Sequence, residues 1–345
     1  MRSFAVPTSA TILTKRQLAL IAAALLALGP AVGVSRAATD LTTIRAQADQ
    51  GDPEALNTLG NAYANGQGVA QSYPDAIRCY AQAAKVGFAP AQFNLAMLTE
   101  LGRGVAENKA EAFQLYLKAA QQGFGPAQYN VGNMYANGVG VARDYFEAAL
   151  WFRQAAQQGI PEALYNLGLA YELGRGVTKD EAQAQKFYRD SAEKGYVRAR
   201  YNLALMLEDG RGSAPDEKAA AKYYRAAALQ GYAPAQNNLG IMIAEGRGGL
   251  PVSLPEAYAW LALAAENGAK PTGRDLLAAK LDPTQLTEGK DRQARLRAEV
   301  AAAAGGKVPG PAKPAVVEAG EGQLSTALAE VARLRTENAA LAASV

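Results

Sequence analysis

Ser191-Ala-Glu-Lys194 is the stretch whose residue types and spacing come closest to covalent chemistry. A serine three residues before a lysine is the nucleophile signature of penicillin-recognising enzymes. The companions that chemistry needs are missing from the chain. There is no KTG triplet, and there is no histidine at all, which removes Ser–His and Cys–His pairs, His-containing zinc sites and the usual base near neutral pH. No GxxxxGK[ST] phosphate cradle occurs, and the GxG pairs lack the third glycine and the preceding strand of a dinucleotide site. Cys79 is the single cysteine, so no internal disulfide forms; among Ile77, Tyr80 and Ala83 it reads as a small core hydrophobe. Ser191 falls in a column that elsewhere holds Ala83, Ala119, Ala155 and Ala227, so it too reads as core. No catalytic residue, metal ligand or cofactor is expected.

Residues suited to recognition are more numerous and recur at a fixed spacing. Phe93, Tyr129, Tyr165 and Tyr201 stand 36 residues apart, with Asn57 and Asn237 extending the column. Beside them run Asn130, Asn166 and Asn202, flanked by Asn94 and Asn238. Asn133, Glu100, Glu172 and Glu208 follow further along. Rigid aromatics offer stacking area, amides can bond a main chain, and carboxylates can orient it, a set that suits an extended peptide. The asparagines are equally readable as bonds to an adjacent helix. Arg103, Arg175, Arg211 and Arg247 all lie inside GxG turns and read as solvated loop arginines, with a basic edge for an acidic partner as the alternative.

The elements that position these residues follow from a leading glycine at Gly51, Gly87, Gly123, Gly159, Gly195 and Gly231, each 36 residues after the last; Gly268 follows at 37. A period of that length means stacked supersecondary units. Four, eight, nine and twelve residues after each leading glycine come apolar or small residues, as in Ala127, Val131, Gly132 and Tyr135. That spacing is one stripe of a helix, the first of each repeat. Glycines such as Gly138 and Gly140 end it and turn the chain. A second helix carries Ala148, Phe152 and Ala156 at matching positions before the next leading glycine. Neither helix buries its stripe alone, so the units must stack. The expected fold is all-α: an α-solenoid of antiparallel helix pairs in a right-handed superhelix.

Units such as Ala163-Leu-Tyr-Asn-Leu-Gly-Leu-Ala-Tyr-Glu-Leu-Gly-Arg-Gly-Val177 resemble the Sel-1-like repeat family, relatives of the tetratricopeptide repeats. The resemblance covers roughly residues 40 to 267. It implies a protein-binding scaffold, as with periplasmic family members that restrain sensor kinases or place envelope machinery. Some members associated with β-lactam binding carry a cysteine pair in every repeat, and this chain lacks those cysteines.

The ends differ from the stack. Residues 1–37 read as a cleavable signal peptide: Arg2, Lys15 and Arg16, the apolar run Leu18 to Leu28, then Ser35-Arg36-Ala37; an uncleaved anchor is the alternative. Cleavage would remove four bases and no acid, moving the net charge from +3 to −1 and leaving a nucleic-acid partner without support. Residues 38–267 form the solenoid, a lone helix plus six repeats, and 268–304 a capping pair in which Asp282-Pro283-Thr284-Gln285 starts a charged helix. The Gly/Pro/Ala-rich stretch 305–322 reads as a linker. In 323–345, Leu324, Val331, Asn338 and Val345 recur every seven residues, a tail helix open to weak self-association or to docking elsewhere.

The functional expectation is a non-enzymatic, exported scaffold that binds a protein or peptide of the cell envelope on its concave face, in the periplasm. Two alternatives stay open: an envelope hydrolase or β-lactam/peptidoglycan-binding protein, and a secreted host-interaction factor.

Overall fold

Turn chemistry sets the helix boundaries. The first helices end at Gly66, Gly102, Gly138, Gly174, Gly210 and Gly246, all left-handed with φ between 64 and 70°. A side chain is strained in that region, and glycine is not. The second helices begin at polar caps: Ser72, Asn108, Asp144, Asp180, Asp216 and Ser253 each accept a hydrogen bond from a backbone N–H of the first turn. Such a cap contributes about 1 kcal/mol.

The computed structural model describes residues 41–303, which form fifteen helices with no strand among them. They fall into two compact units. Of the described residues, the first holds those through Ala163 and Arg175–Val177, and the second Leu164–Gly174 and those from Thr178 to Ala303. In the first unit, α1 (Leu41–Asp49) precedes three helix pairs: α2 (Pro53–Asn65) with α3 (Tyr73–Lys85), α4 (Ala89–Leu101) with α5 (Lys109–Gln121), and α6 (Gly125–Asn137) with α7 (Tyr145–Gln157). Most of α8 (Pro161–Leu173) belongs to the second unit, with α9 (Glu181–Glu193). Then come α10 (Val197–Asp209) with α11 (Glu217–Ala228) and α12 (Ala233–Glu245) with α13 (Leu254–Glu266). The short α14 (Thr272–Ala278) leads to α15 (Pro283–Ala303), which lies against α13. Asp282 and Gln285 bond each other's backbone N–H groups at the start of α15, the reciprocal cap expected there.

Within a repeat, the small residue nine positions after the leading glycine seats the large residue of the second helix. A Cβ at Gly60 would lie 2.5 Å from the Tyr80 ring, at Gly132 2.7 Å from Phe152, and at Gly168 2.7 Å from Tyr188. Between repeats, the second glycine of the GxG turn does the same for backbone. A Cβ at Gly140 would strike the Lys109 carbonyl, and one at Gly248 would come within 2.6 Å of the Glu217 carbonyl. That glycine therefore does more than tighten a turn: it lets each turn sit on the start of the preceding second helix. The cores follow from this seating. Tyr80, Leu59 and Leu98 pack together in the first unit, as do Phe93, Tyr116 and Val131. Tyr188, Leu203, Tyr224 and Trp260 are buried in the second. Each such side chain contributes roughly 2 kcal/mol by burial.

Among the described residues, no helix is long and apolar enough to cross a membrane. The expected signal peptide, linker and tail helix lie outside them.

Candidate functional site

The first helix of each repeat carries the aromatic row, and the structure packs those rings. Phe93, Tyr129 and Tyr201 are each 6% exposed, and Tyr165 is half-buried. Phe93 lies 5.4 Å from both Tyr116 and Phe124, centroid to centroid. Tyr165 lies 5.6 Å from Tyr188 and 5.2 Å from Tyr196, and Tyr201 is 5.9 Å from Tyr224 and 5.3 Å from Tyr232. Tyr129 sits 6.2 Å from Phe152. In three repeats, then, the ring is wedged between its own second helix and the aromatic that opens the next repeat. The row offered for stacking against a peptide is therefore largely spent on packing within the stack. A helix inside a stack is covered on more than one side, so its buried arc is wider than a single apolar stripe.

The asparagine column bonds the preceding repeat. Asn238 Nδ2 donates to the Tyr224 hydroxyl at 3.1 Å and also bonds Tyr201. Asn202 bonds Tyr165 and Tyr188 in the same way, and Asn130 bonds Tyr116. In the first pair of repeats, Asn94 donates to Asn57 at 2.9 Å and to Asn61 at 3.2 Å, and Tyr80 donates to Asn61 at 2.7 Å. Asn133 and Asn166 are half-buried and also engaged. Burial holds the tyrosine hydroxyls neutral. It pushes Tyr165 up to about 12, and Tyr116, Tyr188 and Tyr224 further, with the glutamates raising those three again.

The carboxylates and loop arginines turn out to be one device. Tyr188 donates to Glu172 at 2.5 Å, and Arg211 from the following turn donates to the other oxygen at 2.6 Å. Tyr224, Glu208 and Arg247 repeat the arrangement at 2.6 and 2.6 Å. Where the glutamate column reads Ala64 or Ala136, the arginine finds an aromatic face instead: Arg103 lies 5.8 Å over Tyr73 and Arg175 5.4 Å over Tyr145. Arg211 and Arg247 are thus fasteners between successive repeats rather than solvated loop residues, while Arg103 is half-buried and Arg175 stays exposed over their rings. The signal lay in comparing columns: the arginine 39 residues on meets a glutamate at Glu172 and Glu208, but follows Ala64 and Ala136 where a tyrosine starts the same repeat's second helix, and Glu100 has Val139 in its place.

Ser191 is fully buried while Lys194 is exposed, so the serine–lysine pair opens onto no common site. No group of three metal-ligating side chains occurs among the described residues.

Tandem helix pairs fastened in this way define a helical-repeat α-solenoid, a class whose chemistry goes into stacking and surface. The chain belongs to the Sel1 repeat family: the Sel1 repeat model matches six consecutive copies at 53–88, 89–124, 125–160, 161–196, 197–232 and 233–268. The structure is similar to that of c5321, a protective antigen present in uropathogenic Escherichia coli strains and displaying an SLR fold, at 29% identity and a TM-score of 0.68. That alignment covers 85% of this chain and 64% of the other. It is similar as well to a Sel1 repeat protein from Oxalobacter formigenes, with 34% identity, a TM-score of 0.60, and 67% and 92% of the two chains covered. No curated protein matches the chain. Sel1 repeat proteins mediate protein–protein interaction and are typically non-catalytic scaffolds.

Proposed function

We propose that this chain is an exported, non-enzymatic adaptor that holds a protein or extended peptide along the face lined by the first helix of each repeat, the concave face of tetratricopeptide-like stacks. Its service is cell-envelope organisation or regulation, in the periplasm. The observation that carries the reading is the fixed polar row. Tyrosine and glutamate are already locked by hydrogen bonds within a repeat, and asparagine by bonds to the preceding one, so a partner meets ordered groups and loses less conformational entropy on binding. Half-buried side chains beside that row, Asn133 in the first unit and Leu169 and Leu205 in the second, supply contact surface. Export rests on Arg2, Lys15, Arg16 and the apolar run behind them. The secreted alternative draws on the likeness to a protein described as a protective antigen.

Photo-crosslinking in cells tests the surface. A benzoylphenylalanine at Asn133 or at Leu169 should give the same partner adduct, whereas one at Gln114 or Lys186, exposed on second helices, should give none. Equal adducts from both faces would refute the assignment. Fractionation into cytoplasm, periplasm and medium tests the location, and a cytoplasmic pool of uncleaved chain would refute export.

A further inference from the structure

Twice in the second unit, the chain itself displays what a buried tyrosine–glutamate pair binds. Glu172, held by Tyr188, takes the Arg211 guanidinium at 2.6 Å, and Glu208, held by Tyr224, takes Arg247 at 2.6 Å. In both, the arginine comes 39 residues after the glutamate, and a second acceptor in the same turn helps hold it: Asp209 at 3.2 Å from Arg211 and Glu245 at 3.2 Å from Arg247. The first unit builds the same receptor. Tyr116 donates to Glu100 Oε2 at 3.0 Å, and Asn130 bonds the Tyr116 hydroxyl, as Asn202 and Asn238 bond Tyr188 and Tyr224. The second acceptor position is kept as a polar residue, Asn137, which is exposed. The arginine is missing: the residue 39 after Glu100 is Val139.

No ion pair reaches Glu100 among the described residues; Lys109 pairs with Glu107 at 3.2 Å and acts on Glu100 only through its field. Burial accordingly raises the Glu100 carboxyl above its ordinary range, against the lowering by Tyr116 and Lys109. A half-buried carboxylate with one oxygen bonded and no ion pair is a site open to a positive donor.

We propose that Glu100, backed by Tyr116 and Asn130 and flanked by Asn137, receives an arginine side chain of the bound partner where Val139 stands in place of the in-chain arginine. This deepens the adaptor reading and rests on it: the partner presents an arginine to the first unit. Arginine fits better than lysine, because a planar fork can span a glutamate oxygen and the turn acceptor together, as Arg211 and Arg247 do.

The test uses the full chain and three peptides, acetyl-Gly-Arg-Gly-amide and its lysine and citrulline counterparts, with binding read by saturation-transfer NMR on the peptide. The arginine peptide should bind, the lysine peptide several-fold more weakly, and the citrulline peptide not measurably. Glu100→Gln should weaken arginine binding by about tenfold, and Val139→Arg should abolish it while raising the melting temperature, because the guanidinium is then supplied in cis. Equal binding of citrulline, unchanged binding in Glu100→Gln, or undiminished binding in a folded Val139→Arg would overturn the proposal. The crosslink from Asn133 separates the two readings. If it persists in Glu100→Gln at wild-type yield, the arginine receptor fails and the adaptor stands. If arginine binds as expected and no position crosslinks, the adaptor reading alone fails.

Discussion

Glu172 is where the stacking argument is most exposed to refutation. Its carboxylate accepts from Tyr188 at 2.5 Å and from Arg211 at 2.6 Å, so Glu172→Ala removes two charge-assisted hydrogen bonds at once. Such bonds contribute roughly 1.5–3 kcal/mol each. Two features reduce the loss. The Tyr188 hydroxyl keeps Asn202, and Arg211, with about a third of its side chain exposed, keeps Asp209 at 3.2 Å. The net expectation is about 2–4 kcal/mol for Glu172→Ala, and about 1–2 kcal/mol of coupling between Glu172 and Arg211 in a double-mutant cycle with Arg211→Met. Urea unfolding followed by circular dichroism measures all four proteins under one set of conditions. Because neighbouring repeats share the interface, the loss should appear as earlier melting of the repeats on either side of it. A coupling below about 0.5 kcal/mol, the value of an ordinary surface pair, would refute the view that this bridge fastens repeats.

The remaining expectations concern burial and backbone. Burial raises Tyr165 from 10.0 to about 12 and Tyr188, Tyr201 and Tyr224 beyond it, so folding opposes their ionisation. Their contribution is fully present below pH 10 and is lost as pH rises through their folded values; near-ultraviolet tyrosinate absorbance should therefore lag the ordinary titration and rise with alkaline unfolding. A single ordinary phase with the helices intact would contradict that burial. The two turn glycines should also separate in thermal melting. Gly123→Ala meets no atom within 4 Å and carries only the left-handed backbone cost of about 1–2 kcal/mol, whereas Gly140→Ala drives a Cβ into the Lys109 carbonyl and should cost more than Gly123→Ala. Equal losses would mean that the GxG turn does not seat on the preceding helix.

The chain's sequence determines the repeat, the helix pairs and their ends, because those depend on local chemistry. A glycine that can turn left-handed, an Asp or Ser that caps the next helix, and an apolar stripe at 3.6-residue spacing all act within a few residues of themselves. The candidate row of Phe93, Tyr129, Tyr165 and Tyr201 was legible as a column but not as a packed one, since its burial comes from Phe124, Tyr196 and Tyr232 at the head of the following repeat and from the second helices beside it. The arginines were visible as loop residues, but their partners were not. Arg211 meets Glu172 across 39 residues, a distance in sequence that only the stacking of one repeat on the next converts into 2.6 Å. The sequence alone decided which residues lie on each helix; tertiary structure decided which of them the neighbouring repeat consumes and which, like Glu100, it leaves for something else. The reason is physical: helix ends are fixed by short-range hydrogen bonds, whereas the fate of a side chain in a stack is fixed by the direction from which the next helix arrives.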